Sequence, residues 1–188
     1  MNCTTTTQDK YHEIKRRLLL LAENHAEIKA VLAIGSSTRS DVPADEYSDL
    51  DLIIATDDMD SLLYGNLSAE LGDVKISFVE PTLGGGMERR VLYDGWLDVD
   101  MIVFTAEQFL NAVNDGTANW VMNRGYRVLH DRIGATELLK QKITLEIHKP
   151  DFSESEFQNL ANNFYFHTVW AAKKLLRGEL WSAKMCLD

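Results

Sequence analysis

The chain has 188 residues, 45% hydrophobic and 26% charged, with a formal net charge of −10 and two cysteines. Length and apolar content fit one α/β domain, or one domain with a small appendage, with enough side chains for a core. The acidic balance speaks against a nucleic-acid binder, whose sign is the opposite, and favours cationic partners; Cys3 and Cys186, near opposite ends, form no disulfide framework and fit a reducing compartment.

The N-terminus, Met1-Asn2-Cys3-Thr4-Thr5-Thr6-Thr7, lacks the charged and apolar regions of a signal peptide, and no apolar run reaches membrane-spanning length. The expectation is a soluble, cytoplasmic protein. From about Asp9 to Lys29, Tyr11, Ile14, Leu18, Leu21 and His25 recur at helical spacing. His25 on that face reads as a core-edge histidine rather than a ligand. Ala30-Val31-Leu32-Ala33-Ile34 reads as a first buried strand, closed by Gly35-Ser36. Gly35 suits a tight turn and blocks no ligand. Ser36 and Ser37 bring hydroxyls and backbone N–H groups to a junction of the kind that suits phosphate, within reach of Arg39. The loop Ser40 to Ser48 is polar and reads as surface.

Leu50 to Ala55 is the second strand. Asp49 and Asp51, spaced i, i+2 at its start, share one face. Two like charges that close repel, and burial makes this worse. A divalent cation relieves the repulsion, and hard oxygen ligands suit Mg²⁺. Asp57, Asp58 and Asp60 read instead as capping and solvated charge at a helix start. Leu62 to Leu71 is helical, and Val74 to Val79 alternates as a third strand. Gly84-Gly85-Gly86 is a loop that lacks the Gly-Lys-Ser/Thr of a P-loop. Val91-Leu92-Tyr93, Asp94-Gly95 and Leu97 to Phe104 read as a hairpin with a two-residue turn. Asp98 and Asp100 share a face of its second arm. Asp100, deep in the apolar run, is costly unless paired or bound to metal. It is the third candidate ligand, with Asp98 as the fallback.

Thr105 to Asn114 reads as a capped helix, Trp120 to Asn123 as a short one, and Tyr126 to His130 as a final strand on which His130 is structural. Leu138 to Ile143 starts another helix. Lys149-Pro150 breaks the chain, dividing it into residues 1–149 and a helical segment over 150–188. Ser153-x-x-Glu156 is a capping box. Phe157, Leu160, Phe164, Ala171 and Leu175 line one face of a long helix that stops at Gly178. Phe164, Tyr165, Phe166 and Trp170 read as core rather than as a ring-stacking platform, and His167 is read with the same caution. Leu180 to Leu187 restarts as an apolar helix, expected either because the polypeptide is the front of a longer protein or because this helix packs in an oligomer.

Glycine-serine, a spacer, Asp-x-Asp on one strand and an acid on a later strand resemble the signature of the polymerase-β-like nucleotidyltransferases. Several segments are similar to the aminoglycoside 6-adenylyltransferases, the streptomycin-modifying branch of that superfamily. They are Gly35-Ser36 with Arg39, Ser48-Asp49-Leu50-Asp51-Leu52, Tyr93-Asp94-Gly95 with Val99-Asp100, and Gly125 to Asp131. Trp170 and Leu180-Trp181-Ser182-Ala183 have the look of that family's second domain. Family members are usually longer, and the loop before Asp49 and the stretch Leu63 to Arg90 look individual.

The resemblance implies an α/β (α+β) fold: a mixed-sheet nucleotidyltransferase domain, then a helical C-terminal segment that begins an acceptor-binding domain. It implies ATP as co-substrate, two Mg²⁺ ions held by Asp49, Asp51 and Asp100, and phosphates oriented by Gly35, Ser36 and Arg39. AMP would pass to a hydroxyl of a cationic small-molecule acceptor such as streptomycin, releasing pyrophosphate, in a monomer or weak homo-oligomer without nucleic acid or membrane. Two other readings stay open. One is a protein-modifying nucleotidyltransferase of a toxin–antitoxin pair, against which the helical tail Phe157 to Leu187 argues. The other is a non-catalytic nucleotide-binding module, against which the presence of all three acids argues.

Overall fold

The apolar runs Ala30–Ile34 and Leu50–Ala55 lie side by side near the centre of a six-stranded sheet. The computed structural model describes residues 6–39, 44–82, 86–145 and 152–186. The chain divides into two compact units, Met1–Ile147 and His148–Asp188. The first holds strands β1 (Ile28–Ala33), β2 (Leu50–Thr56), β3 (Val74–Pro81), β4 (Met87–Tyr93), β5 (Leu97–Thr105) and β6 (Arg127–Asp131). Their order is β3-β4-β5-β2-β1-β6, and only β2 and β5 pair in parallel, so the sheet is mixed.

Both faces of the central strands are covered, which is why their sequences read as unbroken apolar runs. On one face lie α1 (Thr7–Asn24), α2 (Met59–Leu63) and α3 (Leu67–Leu71), packing Tyr11, Ile14, Leu18 and Leu63 against Val31, Leu52 and Val99. Complete burial of a leucine such as Leu18 stabilises by roughly 2–3 kcal/mol. On the other lie α4 (Ala106–Asn114), α5 (Asn119–Met122) and α6 (Ala135–Lys142), whose Phe109, Val113, Met122 and Leu139 meet Leu32, Ile53 and Ala55. Strand alternation therefore sends Val99, Met101 and Val103 toward α1–α3, and Asp98, Asp100, Ile102 and Phe104 toward the opposite face.

Local chemistry sets several boundaries. α1 opens with a reciprocal capping box between Thr6 and Asp9. It stops at Asn24, short of Lys29, because Ile28 is drawn into pairing with Thr56. His25 sits in the turn between them, its Nδ1 2.7 Å from Glu27 Oε1. The helical stretch Leu62–Leu71 is interrupted at Gly65, where a Cβ would run into the Ser61 carbonyl. α6 starts at Ala135, three residues before Leu138, because the Asp131 carboxylate accepts from Ile133, Ala135 and Thr136 N–H groups at 2.8–3.0 Å. The β4–β5 hairpin pairs Tyr93 with Leu97, so its loop is Asp94-Gly95-Trp96, one residue longer than the expected Asp-Gly turn. Gly95 and Trp96 both take positive φ (81° and 63°) to close it. Most of the triple-glycine loop, residues 40–43 of the loop before β2, and the Lys149-Pro150 break lie outside the described residues.

The second unit pairs α7 (Glu154–Leu176), opened by a Ser153–Glu156 capping box, with the short α8 (Leu180–Lys184). Gly178, at φ 73°, makes the turn between them. Ala171, Ala183 and Cys186 are buried there. The expected core aromatics are not core: Phe164, Tyr165, Phe166 and Trp170 are exposed. The reason is geometric. A five-residue helix covers one narrow line of α7, whereas the apolar stripe of α7 is several turns long. No helix among the described residues is long and apolar enough to cross a membrane.

Candidate active site

Three strands place one row of charged side chains. Parallel pairing sets Asp51 of β2 directly beside Asp100 of β5, and antiparallel pairing sets Arg90 of β4 on the other side of Asp100. Asp49, two residues before Asp51, shares its face. One carboxylate oxygen from each of Asp49, Asp51 and Asp100 lies within 4.8 Å of the others, and no second cluster of this kind occurs among the described residues. Three carboxylates without histidine or cysteine form a hard oxygen donor set that fits Mg²⁺ or a similar cation.

Asp100 is 5% exposed and is not left bare. Arg90 grips it with a fork, Nε to Oδ1 at 2.9 Å and Nη2 to Oδ2 at 2.6 Å. A carboxylate has about four lone-pair directions, so the fork leaves Asp100 acceptor capacity. Glu88 and Glu80 approach the same guanidinium at 3.2 and 3.6 Å. The Asp51 carboxylate has no hydrogen-bond partner among the described residues. Burial first, then the charges of Asp49 and Asp100, push its carboxyl up to about 6. Burial and the charge of Asp100 likewise raise Glu88 and Asp98. Asp98, the fallback ligand, stands outside the cluster. Tyr11 fastens its backbone, donating to Asp98 O at 3.2 Å and accepting from Asp98 N–H at 3.1 Å.

β1 ends in a 3₁₀ turn over Gly35–Thr38. The Ile34 N–H donates to Asp51 O at 3.1 Å, which locks this turn to the acidic strand. Gly35 has φ 66°, and a Cβ there would overlap Asp51 Oδ2, so glycine is required twice over. The Ser36 hydroxyl is buried and has no partner among the described residues, an arrangement that costs stability unless a ligand completes it. Gly35, Ser36 and Arg39 line the same cavity as Asp49 and Asp51. The cavity, about 400 Å³, continues under α4 and α5, where Ile53, Ile102, Phe104 and Phe109 meet Trp120 and Val121.

Sequence reasoning missed Arg90, Phe104, Trp120 and Arg124. The first was available: with Tyr93 opposite Leu97, counting back along the hairpin puts Arg90 opposite Asp100. Trp120 and Arg124 lie on a four-residue helix and its exit, whose approach to the site is set by tertiary packing and has no local signal. His130 on β6 joins no metal-type cluster among the described residues; burial, chiefly, lowers its pKa.

A mixed sheet that carries a Gly-Ser turn, paired acids on the next strand and a third acid on its parallel neighbour places the chain in the nucleotidyltransferase class. A model of the streptomycin adenylyltransferase family matches residues 9–188, so the chain belongs to that family. Among solved structures it is similar to an aminoglycoside 6-adenyltransferase from Bacillus subtilis, with 15% identity, a TM-score of 0.38, and coverage of 97% of this chain and 62% of that one. It is also similar to terminal uridylyl transferase 4 from Trypanosoma brucei with bound GTP, with 15% identity, a TM-score of 0.32, and coverage of 59% of this chain and 39% of that one. Both likenesses are remote, and the family membership rests on the family match. A search of curated proteins gave no significant match.

Proposed function

We propose that residues 1–149 form the catalytic domain of an aminoglycoside O-adenylyltransferase and that residues 150–188 begin its helical acceptor-binding domain. The reaction is transfer of AMP from ATP to a hydroxyl of a cationic aminoglycoside such as streptomycin: the acceptor oxygen bonds to the α-phosphorus, the bond to the bridging oxygen breaks, and pyrophosphate leaves. The observation that carries this reading is the convergence of three carboxylate oxygens within 4.8 Å beside a turn whose buried serine hydroxyl has no partner among the described residues.

Asp49, Asp51 and Asp100 would hold two Mg²⁺ ions. Bound there, such ions lower the pKa of an acceptor hydroxyl and neutralise charge on the transferred phosphoryl group. The chain's own residues supply position. Gly35 and Ser36 offer the turn to the β- and γ-phosphates, Arg39 adds a charge-assisted contact, and Arg90 keeps Asp100 in one orientation. The net charge of −10 suits a polycationic acceptor. The enzyme acts in the cytoplasm as a monomer or weak homo-oligomer.

A transfer assay followed by mass spectrometry tests this, using ATP, Mg²⁺ and a panel of aminoglycosides that includes streptomycin. The expected result is one adenylyl group added to a drug, absent with Asp51→Asn. Mg²⁺-dependent ATP binding without any product would overturn the acceptor assignment. No Mg²⁺-dependent ATP binding would overturn the site itself.

A further inference from the structure

Two adjacent strands put four carboxylates on one face of the sheet, and three of them come together. Parallel pairing runs from Leu50–Val99 to Thr56–Thr105, so Asp51 stands beside Asp100. One step further back the same register would set Asp49 beside Asp98, but β2 begins at Leu50. Asp49 joins Asp51 and Asp100 within 4.8 Å, and Asp98 is not part of that cluster. The group found at the missing step is the Tyr11 hydroxyl. It accepts from the Asp98 N–H at 3.1 Å and donates to the Asp98 carbonyl at 3.2 Å. On its other side β5 pairs with β4 without a break from Leu97 to Val103, so the hydroxyl stands on the side of β2, where the ladder stops.

The Tyr11 side chain is fixed in this place. It is 3% exposed, and its ring lies in the core among Leu18, Leu97 and Val99. Burial above all pushes its phenol up to about 12, with the charges of Asp98, Asp49 and Asp100 adding to it, so the hydroxyl keeps the proton it donates. Backbone N–H and C=O groups inside a fold need partners. Here one side chain meets both groups of Asp98, and the chain at Ser48–Asp49 is not called on to continue the strand. Resting on the reading of Asp49, Asp51 and Asp100 as metal ligands, we propose that Tyr11 is a positioning residue of the metal centre. Its hydroxyl ends the β2–β5 ladder at Leu50–Val99, holds Asp98 in β5, and frees Asp49 to turn its carboxylate to Asp51 and Asp100. Tyr11 thus decides which of the two flanking acids completes the donor set, although it touches no ion itself.

Tyr11→Phe keeps the ring and removes the hydroxyl. The full chain and this variant are compared for Mn²⁺ binding by calorimetry and for the paramagnetic resonance spectrum of the bound ion, after circular dichroism confirms the fold. Ile14→Val, further along α1 and buried in the same core, is the control for stability alone. Both variants should lower the urea midpoint. Tyr11→Phe alone should weaken Mn²⁺ binding by roughly tenfold to a hundredfold, the scale of losing a group that orients metal ligands, and should alter the spectrum. A second comparison stands whether or not Tyr11→Phe folds: in the otherwise native chain, Asp49→Asn should weaken Mn²⁺ binding more than Asp98→Asn does. Adding Tyr11→Phe should narrow that gap. Unchanged affinity and spectrum in folded Tyr11→Phe overturn the proposal. So does an equal loss of affinity in Ile14→Val, or a native chain in which Asp98→Asn costs as much affinity as Asp49→Asn. Failure of the native chain itself to bind Mn²⁺ would overturn the metal site, and the positioning role with it.

Discussion

Replacing Asp51 by asparagine is expected to abolish transfer and, without metal, to stabilise the fold. The side chain keeps its shape and loses a charge that Arg90 offsets only in part. Its carboxyl is raised from an ordinary 3.8 to about 6, first by burial and then by Asp49 and Asp100. At neutral pH the folded state therefore carries an ionised group that it would rather hold protonated, at a cost of up to ~3 kcal/mol. The carboxylate borders an open cavity, and solvent screening reduces that to ~1–2 kcal/mol. Because the folded pKa is the higher one, this residue's favourable contribution is complete below about pH 4 and is lost as pH rises through about 6. In chelator at about pH 7.5, Asp51→Asn should melt roughly 2–8 °C above the native sequence, and the gap should close toward about pH 4. Saturating Mg²⁺ should reverse the order by stabilising only the native sequence. Thermal and urea denaturation across that pH range check this. A variant less stable than the native chain in chelator, or a gap that ignores pH, would refute the electrostatic account.

Gly35→Ala should cost about 1–3 kcal/mol in urea unfolding, since alanine at positive φ is strained and its Cβ overlaps Asp51. It should also weaken Mn²⁺ binding by roughly tenfold or more, because the only relief is to displace a ligand. Arg90→Lys retains the charge and loses the fork, so kcat should fall on the order of tenfold to a hundredfold while KM for ATP stays nearly constant in steady-state assays. Ser36→Ala removes an orphaned hydroxyl, so the ligand-free protein should be no less stable, while ATP binding measured by calorimetry weakens roughly tenfold. Asp131 is partly buried, which alone would raise its carboxyl, but hydrogen bonds from Thr136, Ile133 and Ala135 outweigh this and hold it at about 2. Asp131→Asn should therefore lose about 1 kcal/mol at neutral pH. That loss should vanish as pH falls from about 4 through about 2, followed by denaturant titration at each pH.

The acidic residues were legible because they break a pattern. A carboxylate inside an apolar strand run stands out by period alone, and Asp49, Asp51 and Asp100 do meet in space. The strand-to-turn junction at Gly35-Ser36 was legible for a similar reason, as an abrupt end to an apolar run. What periodicity does not carry is which distant surfaces meet. Trp120 and Arg124 reach the cavity through the packing of α5, and Phe104 reads in sequence as one more apolar residue of a strand. The tail aromatics misled for the converse reason. A helical stripe in α7 signals an apolar face, but the stripe says nothing of whether a partner covers it, and Phe164 and Tyr165 are exposed. The hairpin differed by one residue, and this matters because a slip of one sends every side chain of a strand to the other face. Trp96, 86% exposed and in the left-handed region, takes up that extra residue.

The strand order carries a further consequence, for the order of assembly. β3, β4 and β5 form one meander between chain neighbours, and β1 with β2 forms a second antiparallel pair. The parallel contact of β2 with β5 is the seam between these two pieces, and it closes over everything from α2 to β4. Local pairings form before such long closures, because the loop entropy must be met first. Asp49 and Asp51 arrive on one piece and Asp100 on the other. The site therefore exists only once this seam has closed, and the charges that define it meet, and resist, as the seam shuts. Stopped-flow refolding should show the capacity to capture Mn²⁺ appearing with the phase that pairs β2 and β5, and metal in the refolding buffer should speed that phase.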